Sequence, residues 1–330
     1  GTMGGVTGDA TQLPAAAQGG GLALVPIVRN WVPGRDPNWA LVGDMLNNAK
    51  DRTAHAQNLL GVAQSGGYSG LVLDYRTLPV ADRDAYSAFV AELAKTLQQN
   101  GLWLAVVVDA PQRAADGSWD TGGYDWAALG AAADQLRVVM PLSPSAYAPG
   151  GLAEQMIVWA VTQVNRHKLL PVYTTLSTDG QKTLALDAIL APIGSVQAVT
   201  PLTESVAPGT ALSFKLGAIS TVETDVATGA TRLVMGETSQ WLGTPQWLRA
   251  RLDLISRYHL GGAVLRDLAN AGNLPGIVDA VAAYKTQAAA TVAALPDIVW
   301  QVTGPEGQAS KSSTPLTQPQ FAWTAPAVTG

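Results

Sequence analysis

The stretch Gly67–Leu78, which reads GYSGLVLDYRTL, is the most informative part of this sequence about the fold. Its centre, Gly70–Leu73, is apolar, and charged side chains appear only where the apolar run ends, at Asp74 and Arg76. A short apolar run of this kind is typical of a strand that is buried on both faces, as the strands of parallel sheets are. Because side chains alternate between the two faces of a strand, Val72, Asp74 and Arg76 are predicted to share one face.

Comparable apolar runs recur along the chain and alternate with amphipathic helical patterns. Helical spacing is clearest between residues 81 and 100, where Tyr86, Phe89 and Leu93 fall on one face. Strands that alternate with helices in this way predict an α/β fold with a parallel sheet covered on both faces. The apolar runs are Leu22–Trp31, Gly70–Leu78, Leu102–Ala110, Leu136–Leu142, Leu169–Leu176 and Gly261–Leu268.

Two segments depart from this alternation. Between about residues 178 and 241, a short helical pattern is followed by several strand-like pieces, which predict an α+β insertion between two late strands.

After residue 294, Ile298–Thr303 and Phe321–Thr324 alternate in polarity, with Gly-, Ser- and Pro-rich sequence between them. Two strands do not make a sandwich, so residues 295–330 are predicted to begin a β-sandwich-like module or to dock elsewhere. Trp300 and Trp323 are predicted to be at least partly buried.

Composition excludes several classes of function. Of the 330 residues, 47% are hydrophobic and 14% are charged, which suits a buried core and argues against disorder. The chain has no cysteine, which excludes disulfides, cysteine nucleophiles and thiolate metal sites. A net charge of −5 provides no basic surface for nucleic acid. No apolar run approaches the roughly 18–20 residues of a membrane-spanning helix, so no span is predicted.

The sequence also lacks the patterns of common cofactor and metal sites. No phosphate-binding loop, dinucleotide-binding glycine pattern or nucleophile elbow occurs, so no cofactor is predicted. His55, His167 and His259 fall in different predicted helices without the spacing of metal ligands, so no metal site is predicted.

The stretch Gly67–Leu78 resembles the signature strand of family-18 glycoside hydrolases, whose pattern is roughly Gly-(Tyr/Phe)-Asp-Gly-x-x-x-Asp-(Phe/Tyr)-Glu-x-Leu. The cell-wall and spore-cortex-lytic branch is the most similar, because the sequence that follows, Pro79–Phe89, is also alike. Further similar segments are Leu24–Asn30, Tyr124–Leu129, Gly236–Trp241 and Tyr258–Ala263. The resemblance extends in register over about residues 5–285.

This resemblance implies a (β/α)8 TIM-type barrel over residues 1–294, with the insertion at about 178–241. Within it, strands at 70–76, 102–109 and 261–266 are expected to be parallel neighbours in one curved sheet. Val6–Leu13 resembles the segment that follows the family's second strand. The first strand and most of the second are therefore expected upstream of residue 1 or from another chain, since a barrel does not close without them.

The same resemblance implies a degenerate catalytic site. The family's acid is the Glu two positions after Asp74, and here that position holds Arg76. Leu142 stands where the family has a Tyr that holds the substrate's acetamido group, and Arg266 where the last strand normally offers a Trp. Ser69 replaces the first Asp of the signature. Arginine keeps its proton at any working pH and does not act as a general acid, so hydrolysis by the family mechanism is not expected.

Arg76 has two interpretations in this setting. It is either a cation in the barrel mouth that binds a carboxylate or phosphate of a ligand, or the partner of an ion pair with Asp74 or Asp109 that fills the cleft. We favour the ion pair, because an unpaired buried charge costs several kcal/mol.

The other candidate residues lie in loops. Trp119 and Tyr147 follow predicted strands, at the barrel face where ligands bind, and either stack on sugar rings or pack within their loops. Asp109 and Glu237 are the acids considered as replacements for the missing one. The complete set of ligand-binding candidates is Asp74, Arg76, Asp109, Trp119, Tyr147 and Glu237.

Three functions are consistent with these residues. The first is a catalytically inactive barrel that binds a glycan of the chitin or peptidoglycan type, or serves as a structural module of a larger surface protein. The second is an active glycosidase with a displaced acid. The third is a subunit that only contacts other protein modules or chains. By resemblance, the expected location is extracellular or at the cell surface.

Overall fold

The computed structural model describes most of the chain, which divides into two compact units, Gly1–Pro275 and Gly276–Gly330. The described residues are 22–32, 37–191, 193, 196–198, 207, 209–211, 213–216, 220–235, 237–293, 298–303 and 309–314. Val6–Leu13 and Phe321–Thr324 therefore lie outside the described residues, as do the side chains of Trp300 and Trp323. The predictions made for them stay predictions.

The first unit is built on a curled sheet of six strands, and every neighbouring pair is parallel. The strands lie across the sheet in chain order, as successive strands of a (β/α) barrel do. They are β1 (Ile27–Arg29), β2 (Gly70–Asp74), β3 (Trp103–Val108), β4 (Gln135–Val139), β5 (Leu169–Thr174) and β6 (Val264–Arg266). The sheet is thus a half-barrel. In the described part of the chain, β1 and β6 are the two edge strands, and each has a single neighbouring strand. Closure into an eight-stranded barrel stays a prediction.

The expected neighbours are confirmed for β2 and β3, which pair from Gly70 opposite Trp103 to Leu73 opposite Val106. The expectation that 261–266 lies beside them is wrong. That segment belongs to the same parallel sheet, but as β6 it pairs with β5 at the far edge. The reason is that strand order follows chain order, so β4 and β5 come between.

Helices cover the outer face of this sheet. The apolar face predicted between residues 81 and 100 is confirmed, since Tyr86, Phe89, Val90, Leu93 and Leu97 are buried in α3. Thr244 caps α7 by accepting a hydrogen bond from the Trp247 amide at 3.2 Å, and Pro245 follows at the first helical position. The helices of the first unit are α1 (Ala40–Leu46), α2 (Ala49–Ser65), α3 (Arg83–Gln98), α4 (Trp126–Ala132), α5 (Leu152–Gln163), α6 (Leu186–Leu190) and α7 (Pro245–Tyr258).

The core has two layers, one on each face of the sheet, and successive side chains of β2 point alternately into one layer and the other. Leu71 and Leu73 belong to the large cluster between the sheet and the helices. Val72 points the other way, into a small apolar cluster with Ala105 and Val107 on the concave face. Asp74 follows Val72 at a spacing of two, so the charged end of β2 continues the concave face.

Antiparallel structure fills the region between β5 and β6, where the sequence predicts an α+β insertion. A five-stranded antiparallel sheet forms here beside α6. Its strands, in sheet order, are Ser220–Thr224, Thr231–Met235, Thr238–Leu242, Ser177–Thr178 and Thr183–Leu184. Val196–Ala198 pairs separately with Phe214–Leu216.

The second unit contains α8 (Ile277–Ala293) and a β-hairpin. The predicted strand Ile298–Thr303 is confirmed, and it pairs in antiparallel fashion with Ala309–Thr314. The sequence patterns do not predict a strand at Ala309–Thr314, which lies in the Gly-, Ser- and Pro-rich stretch. Backbone hydrogen bonds make this ladder, and a polar strand such as ASKSST needs no apolar side chains to join it. The boundary predicted at residue 294 stays a prediction.

Candidate ligand-binding site

The charged residues at the carboxyl ends of β2 and β3 meet at one edge of the sheet. The Arg76 guanidinium makes ion pairs with Asp74 through Nε and with Asp109 through Nη1. Asp74 is buried, and the side chain of Arg76 is 14% exposed, whereas that of Asp109 is 46% exposed. The predicted ion pair of Arg76 is thus confirmed with both carboxylates. We call Arg29, Asn30, Asp74, Arg76 and Asp109 the mouth cluster.

Asn30 fixes the main chain of Arg76. Its side-chain oxygen accepts a hydrogen bond from the Arg76 amide at 2.8 Å, and its nitrogen donates to the Arg76 carbonyl at 3.0 Å. Asn30 is itself buried. These two bonds continue the pairing of β1 and β2 beyond the last strand residues. The next residue, Thr77, has φ 58°, a value that a β-branched residue rarely adopts, so the chain turns sharply after Arg76.

Tyr124 supports the same edge from the loop after β3. Its hydroxyl donates to the Tyr75 carbonyl at 2.8 Å and lies 3.4 Å from Oδ2 of Asp109. Burial raises the pKa of the Tyr124 hydroxyl, and the charge of Asp109 raises it further. Tyr124 therefore stays protonated and acts as a donor next to Asp109.

Arg29 is the second cation of the mouth cluster. In the register of β1 and β2 it stands opposite Asp74, and its Nε lies 3.8 Å from Oδ2 of that residue. Its guanidinium carbon lies 4.6 Å from the ring centroid of Trp31, a cation–π distance. The side chain is 34% exposed, more than twice as much as that of Arg76.

Electrostatics keep Arg76 charged. Burial lowers the pKa of its guanidinium, but the hydrogen bonds and charges of Asp74 and Asp109 outweigh burial and raise that pKa above its ordinary value. The cluster contains two guanidinium groups and two carboxylates, so it is balanced in charge. It offers hydrogen-bond donors and acceptors to a ligand, but Arg76 does not supply a proton.

Among the described residues, no hydrogen bond, ion pair or ring contact joins Trp119 or Tyr147 to the mouth cluster. Trp119 belongs to a short hairpin, where its ring stacks on Trp159 at 5.8 Å between centroids and has the Arg113 guanidinium over it at 4.9 Å. The Tyr147 hydroxyl donates to the Pro141 carbonyl at 2.7 Å, and burial raises the pKa of that hydroxyl. These contacts favour packing within the loops over stacking on sugars.

The other residues singled out by sequence are dispersed. Leu142 follows β4 and is half-buried, and Arg266 is the exposed last residue of β6, opposite Thr174. Glu237 is exposed in the turn that precedes Thr238–Leu242. Within the described ranges, no ion pair or hydrogen bond joins the side chains of Glu237 or Arg266 to the mouth cluster.

Sequence reasoning missed Arg29, Asn30 and Tyr124 as members of this site. The signal for Arg29 and Asn30 was the register of β1 against β2, which requires the strand order to be known. Tyr124 comes from a loop, and no sequence periodicity places it there.

A buried arginine was missed as well. Arg251 is 2% exposed, donates to the Thr174 carbonyl at 3.0 Å and lies 4.1 Å from the Trp247 ring centroid. Its spacing of three from Leu248 and four from Ile255 places it on the apolar face of α7, which was a usable signal.

Two kinds of comparison relate this chain to known proteins, and no protein-family model matches it. YdhD of Bacillus subtilis (strain 168), a protein named as a candidate sporulation-specific glycosylase, is 27% identical over 142 residues. That match includes 40% of this chain and 33% of YdhD, so the chain spans about a third of that relative.

Solved structures share the fold over most of the chain. The chitinase of Chromobacterium violaceum ATCC 12472 superposes with a TM-score of 0.65 at 22% identity, covering 86% of this chain and 88% of that one. A class V chitinase of Pseudomonas fluorescens Pf-5 gives 0.63 at 18% identity, with 82% and 83% covered. The spore cortex-lytic enzyme SleL of Bacillus megaterium QM B1551 gives 0.58 at 16% identity, with 80% and 60% covered. The chain therefore shares the fold of these enzymes.

Proposed function

We propose that this chain is a glycan-binding module that has the fold of a glycoside hydrolase but does not hydrolyse glycans. One observation carries the proposal. Arg76, at the position where the family-18 resemblance expects the catalytic acid, is a cation held by Asp74 and Asp109.

The chemistry of hydrolysis supports this view. In the substrate-assisted route that the resemblance implies, a carboxylic acid protonates the leaving oxygen while the substrate's own acetamido group attacks. A guanidinium with a raised pKa does not deliver that proton. It also opposes the positive charge that develops at the anomeric carbon. Both carboxylates nearest to that position are engaged by Arg76.

The names of the proteins of similar fold support the proposed ligand class. Two of them are named as chitinases and one as a spore cortex-lytic enzyme, which points to chitin-type glycans or peptidoglycan as ligands. The carboxyl-terminal edge of the strands is the usual binding face of such barrels, and the mouth cluster lies there. An extracellular or cell-surface location and contacts with other protein modules belong to the same proposal.

A displaced acid is the second candidate mechanism, and the exposure of Asp109 favours it. Its carboxylate is 46% exposed at the strand ends, so a substrate oxygen has access to it. Its Oδ1, however, accepts a hydrogen bond from Arg76, and Tyr124 lies 3.4 Å from its Oδ2. Binding without turnover therefore fits the geometry better.

A retention experiment tests the binding proposal. The purified chain is mixed with insoluble chitin and with peptidoglycan sacculi, and the bound fraction is measured as a function of concentration. We expect saturable binding to at least one polymer, weakened at least tenfold in the double variant Asp74→Asn/Arg76→Gln. That variant removes one paired positive and one paired negative charge together.

A matched control is the double variant Glu223→Gln/Arg232→Gln, which removes an ion pair of the insertion sheet and should bind like the unmodified chain. Absence of saturable binding to both polymers would contradict the proposal. Equal loss in both double variants would contradict the assignment of the site.

A further inference from the structure

From the geometry of Arg29 we infer that the mouth cluster prefers glycans that carry a carboxylate beside a sugar ring, and that Arg29 binds this carboxylate. The inference rests on the proposed function and names the ligand class of the same site. It makes Arg29 a specificity-determining residue. Arg76, the cation that sequence patterns single out, is not the group that meets the ligand's charge.

Arg29 is the available cation because Asp74 and Asp109 are committed to Arg76. Arg76 has hydrogen-bonding contacts with both carboxylates and is 14% exposed. Arg29 faces Asp74 at 3.8 Å, beyond hydrogen-bonding distance, and is 34% exposed. Among the described residues, the Arg29 guanidinium makes no polar contact other than this ion pair.

The shape of the guanidinium matters as much as its charge. The 3.8 Å contact to Asp74 uses Nε, so the two terminal nitrogens of Arg29 remain as a fork. A planar fork of this kind matches a carboxylate in a bidentate arrangement. Trp31 lies under the guanidinium at 4.6 Å and restrains its plane, which lowers the entropy lost on binding.

The net charge of −5 opposes an anionic ligand at long range, but the affinity depends mainly on the short-range contact between Arg29 and the ligand's carboxylate. Charges farther away than about 8 Å are largely screened at physiological ionic strength. A charge-assisted hydrogen bond acts at about 2.7–2.9 Å and is roughly twice as strong as a neutral one. The mouth cluster is balanced in charge, so the ligand's carboxylate meets no excess of negative charge there.

The test compares two versions of one ligand. The first is a soluble peptidoglycan fragment of alternating N-acetylglucosamine and N-acetylmuramic acid with its lactyl carboxylates free. The second is the same fragment with those carboxylates converted to primary amides. Titration calorimetry of the full chain should give about tenfold tighter binding of the free acid, a factor that corresponds to about 1.4 kcal/mol.

Three variants make the result specific. Arg29→Gln should abolish the tenfold difference by weakening the binding of the free acid far more than that of the amide fragment, and Arg29→Lys should keep part of the difference. Arg232→Gln is the matched control, because Arg232 is also an ion-paired arginine over an indole ring, that of Trp241, but lies in the insertion sheet. It should leave the difference unchanged. Thermal unfolding checks that each variant is folded.

The outcomes separate this inference from the proposed function. Equal binding of both fragments by the unmodified chain, or a tenfold difference that survives Arg29→Gln, would overturn the role of Arg29 and leave glycan binding intact. Equal weakening of both fragments by Arg29→Gln would also overturn it, since Arg29 would then be only structural. If the chain binds none of the four ligands (chitin, sacculi, the free-acid fragment and the amide fragment), the proposed function itself is overturned.

Discussion

Arg76 is held from three directions, by Asp74, by Asp109 and by the side chain of Asn30 on its main chain. The two ion pairs restrain its side chain, and the Asn30 bonds restrain its main chain just beyond the end of β2. The residue is therefore part of the packing of the mouth cluster as well as of its chemistry. Replacing it changes both.

The substitution Arg76→Glu would place a third carboxylate between Asp74 and Asp109. We expect it to lower the free energy of unfolding by about 3–5 kcal/mol, because it breaks a buried ion pair and adds repulsion. Hydrolytic activity should not appear, since Leu142 and Arg266 still occupy the positions where the resemblance expects substrate-holding aromatics. Urea denaturation and a chitin-oligomer assay measure the two effects.

Arg232→Glu provides the comparison, because it places an acid beside Glu223 at an exposed ion pair and should cost about 1 kcal/mol or less. If Arg76→Glu unfolds at the same urea concentration as the unmodified chain, the mouth cluster does not hold Arg76 as described.

The residue scale also shows how much of the site could be predicted. The alternation along β2 predicted that Asp74 and Arg76 share a face, and the cost of an unpaired buried charge favoured an ion pair of Arg76 with Asp74 or Asp109. Asn30 and Arg29 could not be assigned, because their position beside Arg76 depends on which strand lies next to β2. That information comes from the backbone pairing of the sheet and is absent from any local pattern.

Helix α7 illustrates prediction at the element scale. Its start was readable from Thr244 and Pro245, and its apolar face from Leu248, Leu252 and Ile255. Arg251 on the same face is buried against Trp247 and caps the carbonyl of Thr174 at the end of β5. A sequence pattern predicts which side of a helix is apolar. It does not predict that the Thr174 carbonyl accepts a hydrogen bond from Arg251.

The substitution Thr244→Ala tests the capping of this element. Removing the hydroxyl leaves the Trp247 amide without its side-chain acceptor, so the free energy of unfolding should fall by about 1 kcal/mol. Denaturant unfolding followed by circular dichroism provides the measurement. Thr162→Ala is the control, because that hydroxyl bonds the Trp159 carbonyl on an exposed surface and should have a smaller effect. Equal effects of the two substitutions would argue against the cap.

On the scale of the whole molecule, the parallel α/β architecture was predictable because six apolar runs alternate with helical patterns and six parallel strands lie in the sheet. The position of β6 at the edge of the sheet was not predictable from its own residues. It depends on how many strands lie between β3 and β6 in the sheet. The pairing of Ala309–Thr314 was also beyond the sequence patterns, because its side chains are polar and only its backbone makes the ladder.

The central claim is that a module with the fold of chitinases binds glycans without cleaving them. Its most direct test is the release of reducing ends from chitin oligomers and from peptidoglycan by the purified chain, beside an active chitinase as the positive control. We predict that release stays at the level of a protein-free blank while binding to the same glycan is measurable. Turnover above that blank, abolished by Asp74→Asn in a variant that remains folded, would contradict the account.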